Sequence, residues 1–335
     1  VKDGEQGYPF ENWSKWGGWK NKKLAKGTGF FTKYKADGKW WLADPDGYAF
    51  FSAGPDCVNV PVDCRVDGIE KWLDWLPSED EPAYSELFSP DRVFKDRKRN
   101  AKMFSYAGAN LYRVFGEDWY QIWKKMMAGQ LMQMGMNTLG NWSDQRLFEN
   151  TPIPYVTSLP EFPETEKKIF RDFPDVLSDE YKENAKNNAK ALAARKDDPM
   201  MIGYFLRNEP SWAFVDNLVL ADEVLYNPEK TVCKEKLIAF LKEKYQTVDR
   251  LNDAWKLSLS TFEDLRDASK RSEAAKADQK EFSKKLLRAY VEIPAKACRE
   301  VDPNHMILGM RWAWISDPDL ATGWENFDVF SINCY

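Results

Sequence analysis

Histidine occurs once, at position 305, in a chain of 335 residues. A Ser-His-Asp triad or a multi-histidine metal site would have to be built around that one imidazole. A histidine at a strand entrance, beside the apolar run that follows it, is the plainer reading. Cysteine is nearly as scarce: Cys57, Cys64, Cys233, Cys298 and Cys334 show no metal-type spacing. Cys57 and Cys64 could bridge a short loop, but an odd, scattered set suits mostly free, buried thiols. No G-x-G-x-x-G follows a strand and no P-loop is present, so nucleotide-binding α/β folds lose support. No apolar stretch approaches the roughly 20 residues of a membrane span. The net charge of −5 comes from interleaved signs, without the basic, aromatic-laced patch that nucleic acid requires. No repeat of 20–50 residues is visible. The chain begins at Val1 and carries no signal peptide, which suggests a processed protein or a trimmed piece of one.

What is abundant is aromatic. Phe, Trp and Tyr make up 15% of the residues, with 15 Trp. A large aromatic core is the plain reading, and part of the Trp set does sit in apolar runs. A cleft lined with rings that stack on sugar faces is the sharper one.

Apolar runs alternate with helical patterns along the chain. Residues 1–26 are Gly/Trp/Lys-rich and irregular. Phe30–Tyr34, the turn Ala36-Asp37-Gly38 and Lys39–Leu42 read as a hairpin. Asp44-Pro45-Asp46-Gly47 is a strong turn that launches strand one, Tyr48–Gly54. Residues 66–105 are polar and read as an excursion over the fold. Trp119–Met134 has helical spacing and ends at Gly135. Met136–Trp142 and Ile153–Leu159 read as strands two and three, and Asp179–Arg195 as a polar, Ala-rich helix. Met200–Leu206, after the turn Asp197-Asp198-Pro199, is strand four. Glu235–Tyr245 and Thr247–Trp255 are helical, and Ala268–Val301 is a charged helix, polar on most faces, that suits an outer layer. Met306–Trp312 and Phe327–Tyr335 read as strands five and six. Strands alternating with helices imply βα units and a parallel sheet. The expected fold is α/β, a (β/α)₈ barrel incomplete after strand six, with residues 1–47 as an N-terminal extension and hairpin and 48–335 as the barrel.

In such a barrel the strand ends converge on one face. They offer Asp56, Asn141-Trp142, Asn208-Glu209, Arg311-Trp312 and Asn333–Tyr335, with Trp212 just past the fourth. This set of amides and rings suits a neutral, hydroxyl-rich ligand. Too few carboxylates (Asp56, Glu209, Asp144) are near for a metal site, and no cofactor is called for. Glycosidic cleavage needs a carboxylic acid to protonate the leaving oxygen and a second carboxylate across the sugar. Glu209 ends a buried strand, where apolar walls favour the protonated form that an acid catalyst needs. Asn208 beside it can bind a sugar 2-hydroxyl. Alternatively, Glu209 is a strand-end carboxylate paired with Arg207, Arg311 or a helix N-terminus.

Five segments carry a resemblance: GFFTKYKADGKWWLADPDGYAFFSAGPDCV (29–58), MGMNTLGNWSD (134–144), DDPMMIGYFLRNEPSW (197–212), KYQTVDRLNDAW (244–255) and FDVFSINCY (327–335). Through them the chain resembles retaining glycoside hydrolases of clan A, in which an Asn-Glu pair ends strand four, and within the clan the agarase and β-galactosidase-type families. The resemblance implies Glu209 as general acid/base, Asn208 as the 2-hydroxyl ligand, Asn141 and Trp142 as sugar-site lining, and Tyr335 near the nucleophile. Asp56, Trp212, Arg311 and Trp312 complete the expected substrate-binding set. Arg207 departs from agarases that carry an acidic residue there, which leaves the substrate open. The implied activity is hydrolysis of a β-linked galactan such as agarose, by a secreted or periplasmic enzyme.

The clan's nucleophile is a Glu at the end of strand seven, and this chain stops at strand six. Glu117, Asp144 and Glu325 do not end a strand in the expected place. An unclosed parallel sheet leaves edges and an exposed core. The expectation is therefore a longer polypeptide, whose C-terminal segment supplies the nucleophile. Two alternatives remain: a non-catalytic carbohydrate-binding protein on a degenerate barrel, and the same mechanism applied to a β-glucan or β-mannan. The linkage, endo or exo action, and oligomeric state are not specified by the residues.

Overall fold

The computed structural model describes residues 7–62, 64–90, 101–266 and 272–334. The chain divides into two compact units, residues 1–28 with 34–156 and residues 29–33 with 157–335.

The first unit carries β1 (Trp19–Lys23), most of β2 (Thr32–Ala36), β3 (Lys39–Ala43) and β4 (Tyr48–Phe50), in the antiparallel order β1-β4-β3-β2. Asp37 and Gly38 link β2 to β3 with φ of 52° and 73°, the pair of left-handed residues that a two-residue hairpin turn requires. The Asp44 carboxylate accepts from Ser14 Oγ (2.6 Å) and from the backbone N–H of Asp46 and Tyr48, which shapes the turn into β4. The run expected as barrel strand one is thus split. Tyr48–Phe50 joins an antiparallel sheet, with Leu42 opposite Phe50 and Ala49 opposite Trp19.

Residues 53–57 then run beside 137–141 without forming a regular ladder. Asn137 N–H and Thr138 N–H donate to Ala53 O, Gly140 N–H to Pro55 O, and Cys57 N–H to Asn141 O. Strand two is therefore a set of single hydrogen bonds. Its one bridge, Leu139 to Tyr155, is parallel and leads into β8 (Tyr155–Ser158). The 66–105 excursion proves ordered where it is described. β5 (Cys64–Arg65), β6 (Phe88–Pro90) and β7 (Lys102–Phe104) form a sheet in the order β5-β7-β6, over a cluster of Val66, Leu87, Phe104 and Ala109; residues 91–100 lie outside the described residues. α1 (Tyr106–Phe115) follows, then α2 (Trp119–Gln133), and Gly135 at φ 76° terminates α2 as expected. All five cysteines are free, with Cys57 exposed, so no Cys57–Cys64 bridge forms.

The second unit holds the hairpin β9 (Lys168–Phe170) and β10 (Phe173–Pro174), then α3 (Asp179–Ala189) and β11 (Met201–Phe205). α4 (Leu220–Tyr226), α5 (Val232–Tyr245), α6 (Val248–Trp255), α7 (Glu273–Val301) and β12 (Met306–Ile307) complete it. The side chains of Ser178, Thr231, Thr247 and Ser272 accept from backbone N–H groups at the starts of α3, α5, α6 and α7, the usual chemistry of an N-cap. Every residue of β11 is buried. It pairs in parallel with β12, Gly203 opposite Met306, and a Cβ on Gly203 would lie 2.3 Å from Met306 O. Only glycine permits that approach.

Strand five is shorter than expected. Regular pairing stops at Ile307, because Gly309 (φ 89°) and Arg311 (φ 47°) turn the backbone left-handed. Strand six has no regular ladder either. Residues 328–333 follow the 307–312 segment through Asp328 N–H and Val329 N–H to Ile307 O, Trp312 N–H to Ser331 O and Asn333 N–H to Trp312 O. Neither unit contains a closed barrel among its described residues. His305 does stand at a strand entrance: Nδ1 lies 2.8 Å from Asp302 Oδ2 and Nε2 2.8 Å from Asp198 O.

α7 corrects an expectation. Read as polar on most faces, it buries a stripe that includes Phe282, Leu286, Leu287, Tyr290 and Val291. Each such side chain contributes about 1.5–3 kcal/mol relative to exposure. The Tyr181 hydroxyl donates to Tyr290 O at 2.7 Å and ties α3 to it. Asp278, on the same buried stripe, accepts from Lys244 Nζ (2.6 Å), Tyr245 OH (2.6 Å) and Trp255 Nε1 (2.8 Å). One carboxylate thereby joins α5, α6 and α7. Asp278→Ala strands the buried Trp255 N–H and the half-buried Tyr245 hydroxyl and is expected to cost about 3 kcal/mol, read as a lower midpoint in urea denaturation with an unchanged slope.

Candidate functional site

In the second unit the β11–β12 hydrogen bonding runs on past the strands. Leu308 N–H donates to Tyr204 O, Leu206 N–H to Gly309 O, and Glu209 N–H is 3.3 Å from both Met310 O and Arg311 O. Glu209 itself has φ 45°, facing Arg311 at 47°. Two non-glycine residues in the left-handed region, at adjacent strand ends, carry a strain of about 1–3 kcal/mol each. The surrounding contacts hold them there. Asn333 Nδ2 donates to Glu209 Oε1 at 2.5 Å. Arg311 Nε donates to Asn208 Oδ1 at 3.0 Å, and Arg311 N–H to Ser331 Oγ at 2.9 Å. Asn208, Glu209, Arg311 and Asn333 are therefore one cluster, and all four are half-buried. Arg207 leaves this group: it pairs with Asp172 and lies over the Phe162 ring.

The tip of the β9–β10 hairpin braces the segment after Glu209. Asp172 accepts from Arg207, from Ser211 N–H (3.0 Å) and from Trp212 N–H (2.7 Å). Arg171 NH1 donates to Ser211 O at 3.0 Å and to Phe214 O at 3.5 Å. Trp212 and Trp312, expected to touch sugar, are enclosed instead, at 0% and 1% exposure. They meet edge-to-face, with ring centres 5.6 Å apart, and Trp212 also abuts Phe173 and Tyr290. Their apolar area goes into the core beneath the cluster, so they support it rather than line an open surface.

The first unit holds the remaining expected residues. Asp56 Oδ1 accepts from Asn141 N–H at 2.7 Å, and the Asn141 side chain is buried. A Cβ on Gly140 would fall 2.2 Å from Asp56 Oδ1, so this close turn depends on glycine. Trp142 has φ 58° and is half-exposed. Asp144 is taken up by Arg146, which stacks on Tyr120 with its guanidinium 3.9 Å from the ring centre. Tyr335 lies outside the described residues. Asn333 was seen as part of a strand end but not as the carboxylate's partner. Arg171 and Asp172 were missed, although two charged residues at the tip of a short hairpin are a visible sign. Among the described residues no cluster of metal-ligating side chains occurs, and no helix is long and apolar enough to cross a membrane.

A family model described as Glyco_hydro_42, beta-galactosidase, matches residues 156–335. Beta-agarase B of Vibrio sp. (strain JT0107) is 28% identical over 359 aligned positions, which cover 96% of this chain and 38% of that protein. Beta-agarase A of the same organism is 26% identical, covering 93% and 34%. The chain thus spans less than two fifths of these curated relatives. Among solved structures, one titled "Structure of PfGH50B" superposes with a TM-score of 0.85 at 24% identity, over 98% of this chain and 52% of that one. "The crystal structure of an agarase, AgWH50C" gives 0.80 at 23%, over 96% and 51%. At these identities the superpositions speak for the fold.

Burial pushes the Asp172 carboxyl up, but the hydrogen bonds from Ser211, the Arg207 guanidinium and the Trp212 N–H outweigh it and hold the group below its ordinary value. Between that depressed value and the unfolded one near 3.9, the unfolded chain binds a proton that the folded chain does not. The stabilisation is therefore fully present above about pH 4 and is lost as pH falls through the folded value. Asp172→Asn is expected to lower stability at pH 7 by about 1–3 kcal/mol, with the gap to wild type closing as the pH drops below about 4. Thermal midpoints of both proteins across that range check this, and a constant gap overturns it.

Proposed function

The chain belongs to the Glyco_hydro_42 beta-galactosidase family and so to clan A of the glycoside hydrolases, and from that membership we propose that it is part of a retaining enzyme that hydrolyses a β-linked galactan of the agarose type. Two curated beta-agarases that align along nearly its whole length support the substrate class. The observation that carries the reading is the Asn333–Glu209 hydrogen bond at 2.5 Å, on a carboxylate turned left-handed at the end of a buried strand. A strained, anchored carboxylate among amides is what a positioned acid/base requires.

Glu209 protonates the glycosidic oxygen as the bond from that oxygen to the anomeric carbon breaks. A second carboxylate bonds to the anomeric carbon from the opposite face. Glu209, now ionised, takes a proton from water as the water oxygen displaces that ester and regenerates the sugar with its original configuration. We assign the nucleophile to a Glu that ends a later strand of the full-length polypeptide, beyond Tyr335, about 5 Å from Glu209. The greater length of the curated relatives is in keeping with this, and the parallel β11–β12 pair would then be part of a (β/α)₈ barrel. On this reading Asn208, whose Oδ1 accepts from Arg311, binds the 2-hydroxyl. A polymeric substrate calls for a secreted or periplasmic enzyme.

In the full-length protein, Glu209→Gln is expected to lower turnover of agarose about 10²–10⁴-fold, the usual worth of a general acid. Near wild-type turnover would sink the assignment. Asn333→Ala removes one hydrogen bond to a charged group, worth about 1.5–3 kcal/mol. It is expected to reduce kcat/KM roughly 10–100-fold and to lower the thermal midpoint by a few degrees. The configuration of the first-formed sugar, followed by NMR, tests retention.

A further inference from the structure

The loops that leave β11 and β12 meet again past Glu209. Because the two strands are parallel, both loops leave from the same end of the strands. Trp314 Nε1 donates to Asp216 Oδ1 at 3.2 Å, and Ser316 Oγ to Val215 O at 3.1 Å. Arg171 holds the earlier loop through Ser211 O and Phe214 O. These loops carry aromatic residues of two kinds. Trp212 and Trp312 are enclosed, whereas Phe214 and Trp314, two residues further on in each loop, are 46% and 49% exposed.

Exposed rings of this size on a braced loop invite an explanation. The indole of Trp314 is fixed at its N–H edge by a carboxylate, so its orientation is set while much of its surface stays open. An amphipathic ring with its polar atom satisfied suits the C–H face of a pyranose. The position fits a particular sugar. The amide cluster sits at the strand ends, whereas Trp314 comes three residues after Arg311 and Phe214 five after Glu209. Both rings belong to the tied loops that carry the chain on from the cluster. The sugar whose 2-hydroxyl meets Asn208 is the inner one, and the sugar that Glu209 releases lies outward.

We propose that Trp314, with Phe214 on the loop tied to it, is the stacking platform for the leaving-group sugar of a β-linked galactan. This rests on the reading of Glu209 as the acid/base. The test uses the full-length protein and two substrates: an agarose-derived tetrasaccharide and β-galactosyl fluoride, whose leaving group has no ring. For Trp314→Ala, the ratio of kcat/KM on the tetrasaccharide to that on the fluoride is expected to fall at least tenfold. Trp314→Phe should recover most of it, and Asp216→Ala, which frees the indole without removing it, should show a smaller fall. A ratio within threefold of wild type for Trp314→Ala overturns the platform, and so does a fall that Trp314→Phe fails to recover. Glu209→Gln on the same pair keeps the two readings apart. A Glu209→Gln variant unimpaired on the tetrasaccharide, whose leaving oxygen needs the proton that fluoride does not, overturns the acid/base reading whichever way Trp314 falls. A Glu209→Gln variant inactive on the tetrasaccharide beside an unchanged Trp314→Ala ratio overturns the platform alone.

Discussion

The close approach of β11 to β12 at Gly203 is the constraint on which the second unit depends. Met306 O occupies the space a side chain would need, so the two strands pair at a distance and register that no larger residue tolerates. That register then propagates. It brings Leu206 to Gly309 and Glu209 to the carbonyls of Met310 and Arg311, and so sets Asn208 beside the Arg311 guanidinium. Asn333 reaches Glu209 only because its own segment is hung on Trp312. A glycine six residues before the carboxylate thereby determines which groups can surround it. The backbone strain at Glu209 and Arg311 is tolerated because hydrogen bonds from three chain segments converge on the same few residues.

The parts of the fold that could be read from residues are those with local causes. Met200–Leu206 is an unbroken apolar run, and β11 emerges there with every side chain buried. The helix from Asp179 and the helix end at Gly135 were legible too, whereas the Thr231 cap starts α5 at Val232, ahead of the expected Glu235. The parts that could not be read have distant causes. Met136–Trp142 looks like a strand, yet Gly140 is there to let Asp56 approach, and that contact breaks the ladder into single hydrogen bonds. The 306–312 run fails for a related reason, two left-handed residues within it. α7 looks polar because charged residues recur along its whole length, but a helix needs only one apolar stripe to be held.

The same division applies to the site. Glu209 and Asn208 were visible because strand-end position and chemistry coincide in a few residues. The roles of Trp212 and Trp312 were not, since composition cannot separate an enclosed indole from an open one. Phe214 and Trp314, close by in the same loops, have the opposite exposure. Asp172 was invisible because its partners lie 35 to 40 residues downstream.

The β9–β10 hairpin works as a ruler. Its tip carries Arg171 and Asp172 to the loop after Glu209, and the hydrogen bonds there are specified to a few tenths of an ångström. A strand advances about 3.3 Å per residue. One residue added to or removed from either arm would move the Asp172 carboxylate by more than the length of a hydrogen bond, and would turn it to the other face. Hairpin length is therefore coupled to the geometry of the carboxylate from which that loop departs. Among proteins of this architecture, a change in that length and a change in the residues at 207 and 211–214 ought to occur together or not at all.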